Sequence, residues 1–202
     1  MSRIGRILYG TARLLAQFVF ICLFMVRVSG RRNIPRKGGA ILASNHQSFL
    51  DPVLIGLGLW QRVHFMARAE LFDIPIFDRL ISALNAFPVR RTVADRKAIR
   101  EAVSKASAGD LVVVFPEGTR IDHGGLGEMQ PGAAFIAKRA RCPIVPVAIY
   151  GAHRAWPTRY KIFHLAPIRV AFAPPIDPAG RDDKEILEEI RKSIENMLST
   201  MV

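Results

Sequence analysis

Short apolar runs that alternate with amphipathic stretches constrain this chain more than any other feature. The runs fall at residues 40–44 (AILAS), 63–67 (VHFMA), 111–115 (LVVVF), 144–150 (IVPVAIY) and 168–172 (IRVAF). They have strand length and lean on β-branched and aromatic residues, which suits strands covered on both faces. Helical patterns lie between them at residues 52–60, 75–84, 95–108 and 131–140. A last amphipathic helix is expected over 184–201, with Ile186, Leu187, Ile190, Ile194, Met197 and Leu198 on one face and Glu and Lys on the other. Strands alternating with helices predict an α/β fold: a mixed, largely parallel sheet flanked by helices. With 202 residues, half of them hydrophobic, the chain can bury one sizeable core and carry an appendage.

The appendage is residues 1–28. Arg3, Arg6, Gly10, Arg13 and Gln17 recur at spacings of three and four, on one side of a helix, while Ile4, Ile7, Leu8, Leu14, Leu15 and Phe18 fill the other. The strictly uncharged stretch, residues 14–26, has 13 residues, against the roughly 20 that a full span needs. Arg27, Arg31, Arg32, Arg36 and Lys37 follow it at once. Such a cluster favours the cytoplasmic side. We therefore expect a helix that lies in, or dips into, the cytoplasmic leaflet, and a peripheral or monotopic protein. No A-x-A-like cleavage site follows the segment, so a removable signal peptide is not expected.

Charge narrows the partners. Twenty-nine basic residues against 17 acidic give +12. Residues 1–44 hold eight Arg or Lys and no acid, and between Glu128 and Asp177 lie seven more bases and again no acid. Such fields attract anionic lipid, an acidic carrier or nucleic acid. The bases are not interleaved with aromatics, which argues against nucleic acid. Cys22 and Cys142 form no CxxC or Cys/His cluster, so neither a zinc site nor a disulfide framework is expected.

In α/β folds, sites gather on loops that follow strands. Three polar loops meet that rule: NHQSFLD (45–51) after AILAS, the Arg90–Arg91 pair after AFPV, and PEGTR (116–120) after LVVVF. A neutral imidazole can accept a proton from a hydroxyl when its other nitrogen is held by an acceptor, and Asp51 is placed to do this for His46. The competing reading makes Asp51 a helix N-cap ahead of Pro52. No G-x-S-x-G elbow exists and Ser48 is too close in chain to His46, so the nucleophile is expected to be a substrate hydroxyl. In PEGTR, Gly118 admits close approach, Thr119 offers a hydroxyl and an N–H, and Arg120 presents a fork matched to phosphate. Glu117 is read as binding a substrate hydroxyl or holding an arginine. Arg91 is a second phosphate candidate. His46 is expected to be an exposed loop residue with little packing.

Together these stretches resemble the glycerolipid acyltransferase family typified by 1-acylglycerol-3-phosphate acyltransferases. Its N-H-x-S-x-x-D block stands here as NHQSFLD, its V-x-R block as AFPVRR, its F-P-E-G-T-R block complete at 115–120, and its V-P-V block as IVPVAIYG (144–151). The resemblance runs from about residue 30 to 175. It implies a glycerol-3-phosphate acyltransferase-like fold, with residues 29–202 as the acyltransferase domain. It implies His46 as general base oriented by Asp51, and Arg91, Glu117, Gly118, Thr119 and Arg120 around the phosphoglycerol of a lysophospholipid. Pro146 would shape the acyl site. The donor would be acyl-CoA or acyl carrier protein, with no metal or cofactor. The acceptor would be 1-acylglycerol-3-phosphate, with lyso-ornithine lipid as the alternative. Arg68 stands where relatives often carry Lys before A-E-L-F, Ile121 where Ser is common, and Gln130 where Lys is frequent.

Overall fold

The computed structural model describes residues 24–57, 59, 61–90, 95–121, 125–156 and 164–201. In chain order the elements are β1 (Arg27–Ser29), β2 (Ala40–Ser44), α1 (Asp51–Leu57), β3 (Val63–Arg68), α2 (Pro75–Ala83), β4 (Ala86–Val89), α3 (Arg96–Ser107), β5 (Leu111–Val114), α4 (Gly132–Ala140), β6 (Ile144–Tyr150), the single turn α5 (Ala152–Ala155), β7 (Arg169–Phe172) and α6 (Asp183–Ser199). The strands form a seven-stranded sheet in the order β1-β7-β6-β2-β5-β3-β4. Every neighbouring pair is parallel except β6 with β7. Strands β2 to β6 therefore all end at the same edge of the sheet, and the polar loops emerge there.

Alternation along each strand sorts the core into two layers. Ala40 and Leu42 of β2 face a cluster with α1 (Leu54, Ile55) and with Phe65, Val113, Val147 and Ile149. Ile41 and Ala43 face the other way, onto α3, α4 and α6 through Ala98, Ala102, Ala134, Ile136, Ile186, Ile190 and Ile194. The alanines of α3 recur every four residues, which makes a smooth face for close packing. Gly39 belongs to the same close approach: a Cβ there would lie 1.9 Å from the Ala106 carbonyl oxygen.

The strand expected ahead of Arg90–Arg91 is present, and one element, at residues 27–29, differs from the expectation. AFPV is a full strand, β4, at the sheet edge, where Pro88 forfeits little because one side of an edge strand has no ladder to join. Residues 27–29 form β1, paired with Arg169, Val170 and Ala171, so the boundary drawn at 28/29 falls inside a strand. Phe24 and Val26 are also buried in the α1-side core. A three-residue R-V-S strand has no periodicity of its own; its partner far along the chain makes it a strand. Of the helix expected over residues 1–28, residues 1–23 lie outside the described residues, and Arg27 and Val28 are strand. No helix among the described residues is long and apolar enough to cross a membrane.

Candidate active site

The site is built where β2 and β5 end side by side. Their register pairs Ala43 with Val114, so NHQSFLD and FPEGTR leave the sheet as neighbours. Four contacts then fasten the loops together. The His46 N–H donates to Glu117 Oε1 at 3.4 Å. The Ile121 N–H donates to the His46 carbonyl at 2.8 Å. The His46 ring stacks on Phe115 with centroids 4.0 Å apart and planes 17° apart. The Arg120 guanidinium lies over the Phe49 ring, 3.9 Å from its centroid.

Within the first loop, His46 Nδ1 donates to Asp51 Oδ2 at 2.8 Å. The same oxygen accepts the N–H groups of Gln47 at 2.6 Å and Ser48 at 2.8 Å. Asp51 opens α1, yet its carboxylate folds back over the preceding loop instead of capping the amides ahead of it. Three donors fix it as an oriented acceptor. Nδ1 is thereby the protonated nitrogen, and Nε2 is left with the lone pair that a general base needs. His46 is only 5% exposed, which corrects the expectation of an exposed ring. Phe115 covers one face of the ring, and its place in the F-P-E-G-T-R block gave no hint of a stacking role.

Asn45 and Gln47 tie this loop to the far side of β2. Asn45 Nδ2 donates to the Ile149 carbonyl at 2.9 Å and its Oδ1 accepts the Ile149 N–H at 2.8 Å. A side-chain amide thus continues the β2–β6 ladder one step beyond the strand. Gln47 Oε1 pairs with His153 Nδ1 at 3.1 Å, and Ser48 Oγ donates to the Trp156 carbonyl at 3.1 Å. The Ser48 hydroxyl also accepts the Leu50 N–H, so it is engaged in holding the loop. None of these roles was read from the sequence, where a polar residue after a strand signals only a loop.

The second loop divides between interior and mouth. Glu117 is 7% exposed, beneath the loop surface. Burial pushes its carboxyl up to about 7, against the pull of the His46 N–H and, at looser geometry, the Gly127 N–H. Gly118 has φ +66° with open space around it, and Thr119 is exposed. This backbone is open to a ligand. Arg120 is partly buried, and its pKa is lowered first by that burial and then by the charge of Arg68, with Asp51 acting in the opposite sense. Arg68 ends β3, the strand next to β5. Two guanidinium groups thus share one end of the sheet, an arrangement that an anion would relieve. Arg91 lies outside the described residues. Pro146 sits in mid-β6 opposite Ala43, where the β6–β7 ladder resumes only at Val147. Its lack of an N–H fits that gap.

Among the described residues, the buried side-chain atoms without a hydrogen-bond partner are Gln47 Nε2, Asp51 Oδ1, Glu117 Oε2 and Arg120 Nε. All four belong to these two loops. Unsatisfied buried polar groups are rare and costly elsewhere, and their gathering here makes these two loops the candidate site. Cys142, by contrast, is buried in the core on the α3–α4–α6 side of the sheet, and burial raises its thiol to about 11.

The chain is similar in sequence and fold to known acyltransferases. The family model described as Acyltransferase matches residues 25–150. A 1-acyl-sn-glycerol-3-phosphate acyltransferase of Bacillus subtilis is 30% identical over 127 residues, covering 62% of this chain and 63% of its own. Another from Pseudomonas aeruginosa is 28% identical over 164 residues, with coverages of 80% and 63%. A chloroplastic one of Arabidopsis thaliana is 29% identical over 175 residues, covering 85% of this chain and 49% of its own. The chain thus spans between about half and two thirds of the length of these curated relatives. The crystal structure of the 1-acyl-sn-glycerophosphate acyltransferase PlsC from Thermotoga maritima superposes with a TM-score of 0.76 at 27% identity, over 95% of this chain and 82% of that one.

Proposed function

The chain belongs to the acyltransferase family, and from that premise we propose that it transfers a fatty acyl group from an acyl thioester to the free sn-2 hydroxyl of 1-acylglycerol-3-phosphate, giving phosphatidic acid. The observation that carries this reading is the His46–Asp51 pair, 2.8 Å apart, with the aspartate pinned by two backbone N–H groups. A base so oriented can take a proton from a hydroxyl that attacks a carbonyl.

The acceptor oxygen attacks the thioester carbonyl carbon as His46 Nε2 removes its proton, and Asp51 stabilises the imidazolium. The tetrahedral intermediate then collapses, the C–S bond breaks, and the thiolate takes the proton from His46. Arg120 binds the acceptor phosphate, joined by Arg68 across the strand ends and by Arg91. Gly118 and Thr119 offer close backbone and a hydroxyl. Glu117 acts from below by holding the His46 amide, and so positions the base. The donor is acyl-CoA or acyl carrier protein, both acidic and suited to the basic surface. Residues 1–23 bring the enzyme to the cytoplasmic face of the membrane, where the acceptor resides.

Product mass spectrometry tests this directly. The enzyme is offered 1-acylglycerol-3-phosphate, lyso-ornithine lipid and other lysophospholipids with each donor. Phosphatidic acid is the expected product, absent with His46→Ala. Acylation of lyso-ornithine lipid alone would keep the mechanism and replace the acceptor.

A further inference from the structure

The geometry points to Phe49 as the positioning residue that sets the plane of the Arg120 guanidinium in the acceptor site. Phe49 is the aromatic residue of NHQSFLD and remains 41% exposed at the mouth of the site. Its ring contacts two groups: the Arg120 guanidinium at 3.9 Å and the tilted ring of Trp156 at 5.4 Å. The Trp156 carbonyl in turn holds Ser48. Phe49 is therefore a braced platform and not a stray apolar side chain.

Arg120 needs such a platform. Its Nε is buried and unpartnered, burial works against its charge, and Arg68 repels it. Attraction to the face of an aromatic ring counters those losses, most strongly where water is excluded. A guanidinium carbon 3.9 Å from the ring centroid is close enough for the flat face to rest on the ring, a placement that keeps the edge for other partners. The N–H donors that grip phosphate oxygens lie along that edge, so platform and ligand do not compete. A platform that fixes the plane also lowers the entropy lost on binding, and its effect should fall on the acceptor alone.

This inference rests on the reading of Arg120 as a phosphate ligand, and the test separates the two. Kinetic constants for 1-acylglycerol-3-phosphate and for the donor are measured in the full-length enzyme for Phe49→Leu, Phe49→Tyr, Arg120→Ala and Phe49→Leu combined with Arg120→Ala. Phe49→Leu should raise the acceptor KM about 5- to 10-fold, the scale of a partly desolvated cation–π contact. The kcat and the donor KM should change less than about twofold. Tyr should restore the acceptor KM, and Leu should add nothing once Arg120 is gone. A wild-type acceptor KM in Phe49→Leu beside a raised one in Arg120→Ala overturns the platform and leaves the phosphate reading standing. So does a Leu defect shared by kcat and both substrates, or one that Tyr does not repair. An unchanged acceptor KM in Arg120→Ala overturns the phosphate reading itself, and the platform falls with it. If Phe49→Leu fails to fold, Phe49→Met is read by the same criteria.

Discussion

Glu117→Gln separates the cost of burying a carboxyl from the benefit of its hydrogen bond. The Glu117 carboxyl titrates near 7 in the folded protein, against an ordinary value of 4.5. The unfolded chain gives up this proton near pH 4.5, and the native protein keeps it to about pH 7. Between those limits the native state binds more protons, so stability falls as pH rises and levels off above the upper one. The difference is about 2.5 units, and at about 1.4 kcal/mol per unit it amounts to at most about 3.5 kcal/mol. Glutamine keeps an oxygen to accept the His46 N–H and has no proton to lose. The melting temperature of the wild type should therefore fall relative to Glu117→Gln by up to about 7–14 °C between pH 4.5 and 7.5, given about 2–4 °C per kcal/mol at this size. Calorimetric or fluorescence melts of both proteins across that range measure it. Parallel curves, or a wild type that gains on the variant as pH rises, would refute the buried-carboxyl account. Activity should fall by less than about tenfold in Gln and more in Ala, because only Ala releases the His46 amide.

His46→Ala should lower kcat by about 10²–10⁴-fold, and because the ring is buried on Phe115 it should also lower the melting temperature by a few degrees; half the activity remaining would remove the general-base mechanism. Asp51→Asn should be severely impaired in kcat with the fold retained, since an amide cannot stabilise the imidazolium, and a near-normal rate would count against the orienting role. Incubation with labelled acyl thioester alone should leave Ser48 and Cys142 unmodified by mass spectrometry, and a stable acyl adduct on either would exclude direct attack. Removing residues 1–23 should release the protein from anionic vesicles with its melting temperature kept, whereas removing 1–28 should destabilise it by taking two strand residues and two core side chains; equal flotation of the 1–23 deletion would make that segment packing and not anchor.

The strands that were legible, at residues 40–44, 63–67, 111–115, 144–150 and 168–172, announce themselves because burial on both faces enforces a mostly apolar run. They appear within a residue or so of those bounds. β1 was illegible for the converse reason, since R-V-S becomes a strand only through its pairing with β7. The His46–Asp51 pair could be read because both partners lie in one short loop. Glu117 could not, because nothing local tells that a carboxylate turns inward to a backbone amide of another loop. Asn45 is similar: its partner Ile149 lies in a strand on the other side of β2. Contacts within one loop are legible from spacing, and contacts between loops wait on the order of the strands.

That order works through register. β5 lies between β2 and β3, though α1 and β3 follow β2 in the chain, so the two site loops become neighbours only when this insertion is made. The pairing of Ala43 with Val114, continued three residues past each, brings His46 opposite Glu117, where their hydrogen bond forms. A slip of one residue in β2 would break that match and also exchange the faces of its side chains, turning Ala40 and Leu42 toward α3 and α4, and Ile41 and Ala43 toward α1. Both faces of β2 are fully packed, so the core itself forbids the slip. The packing that makes the strand visible as an apolar run therefore also holds the base, its aspartate and the loop beneath them in place.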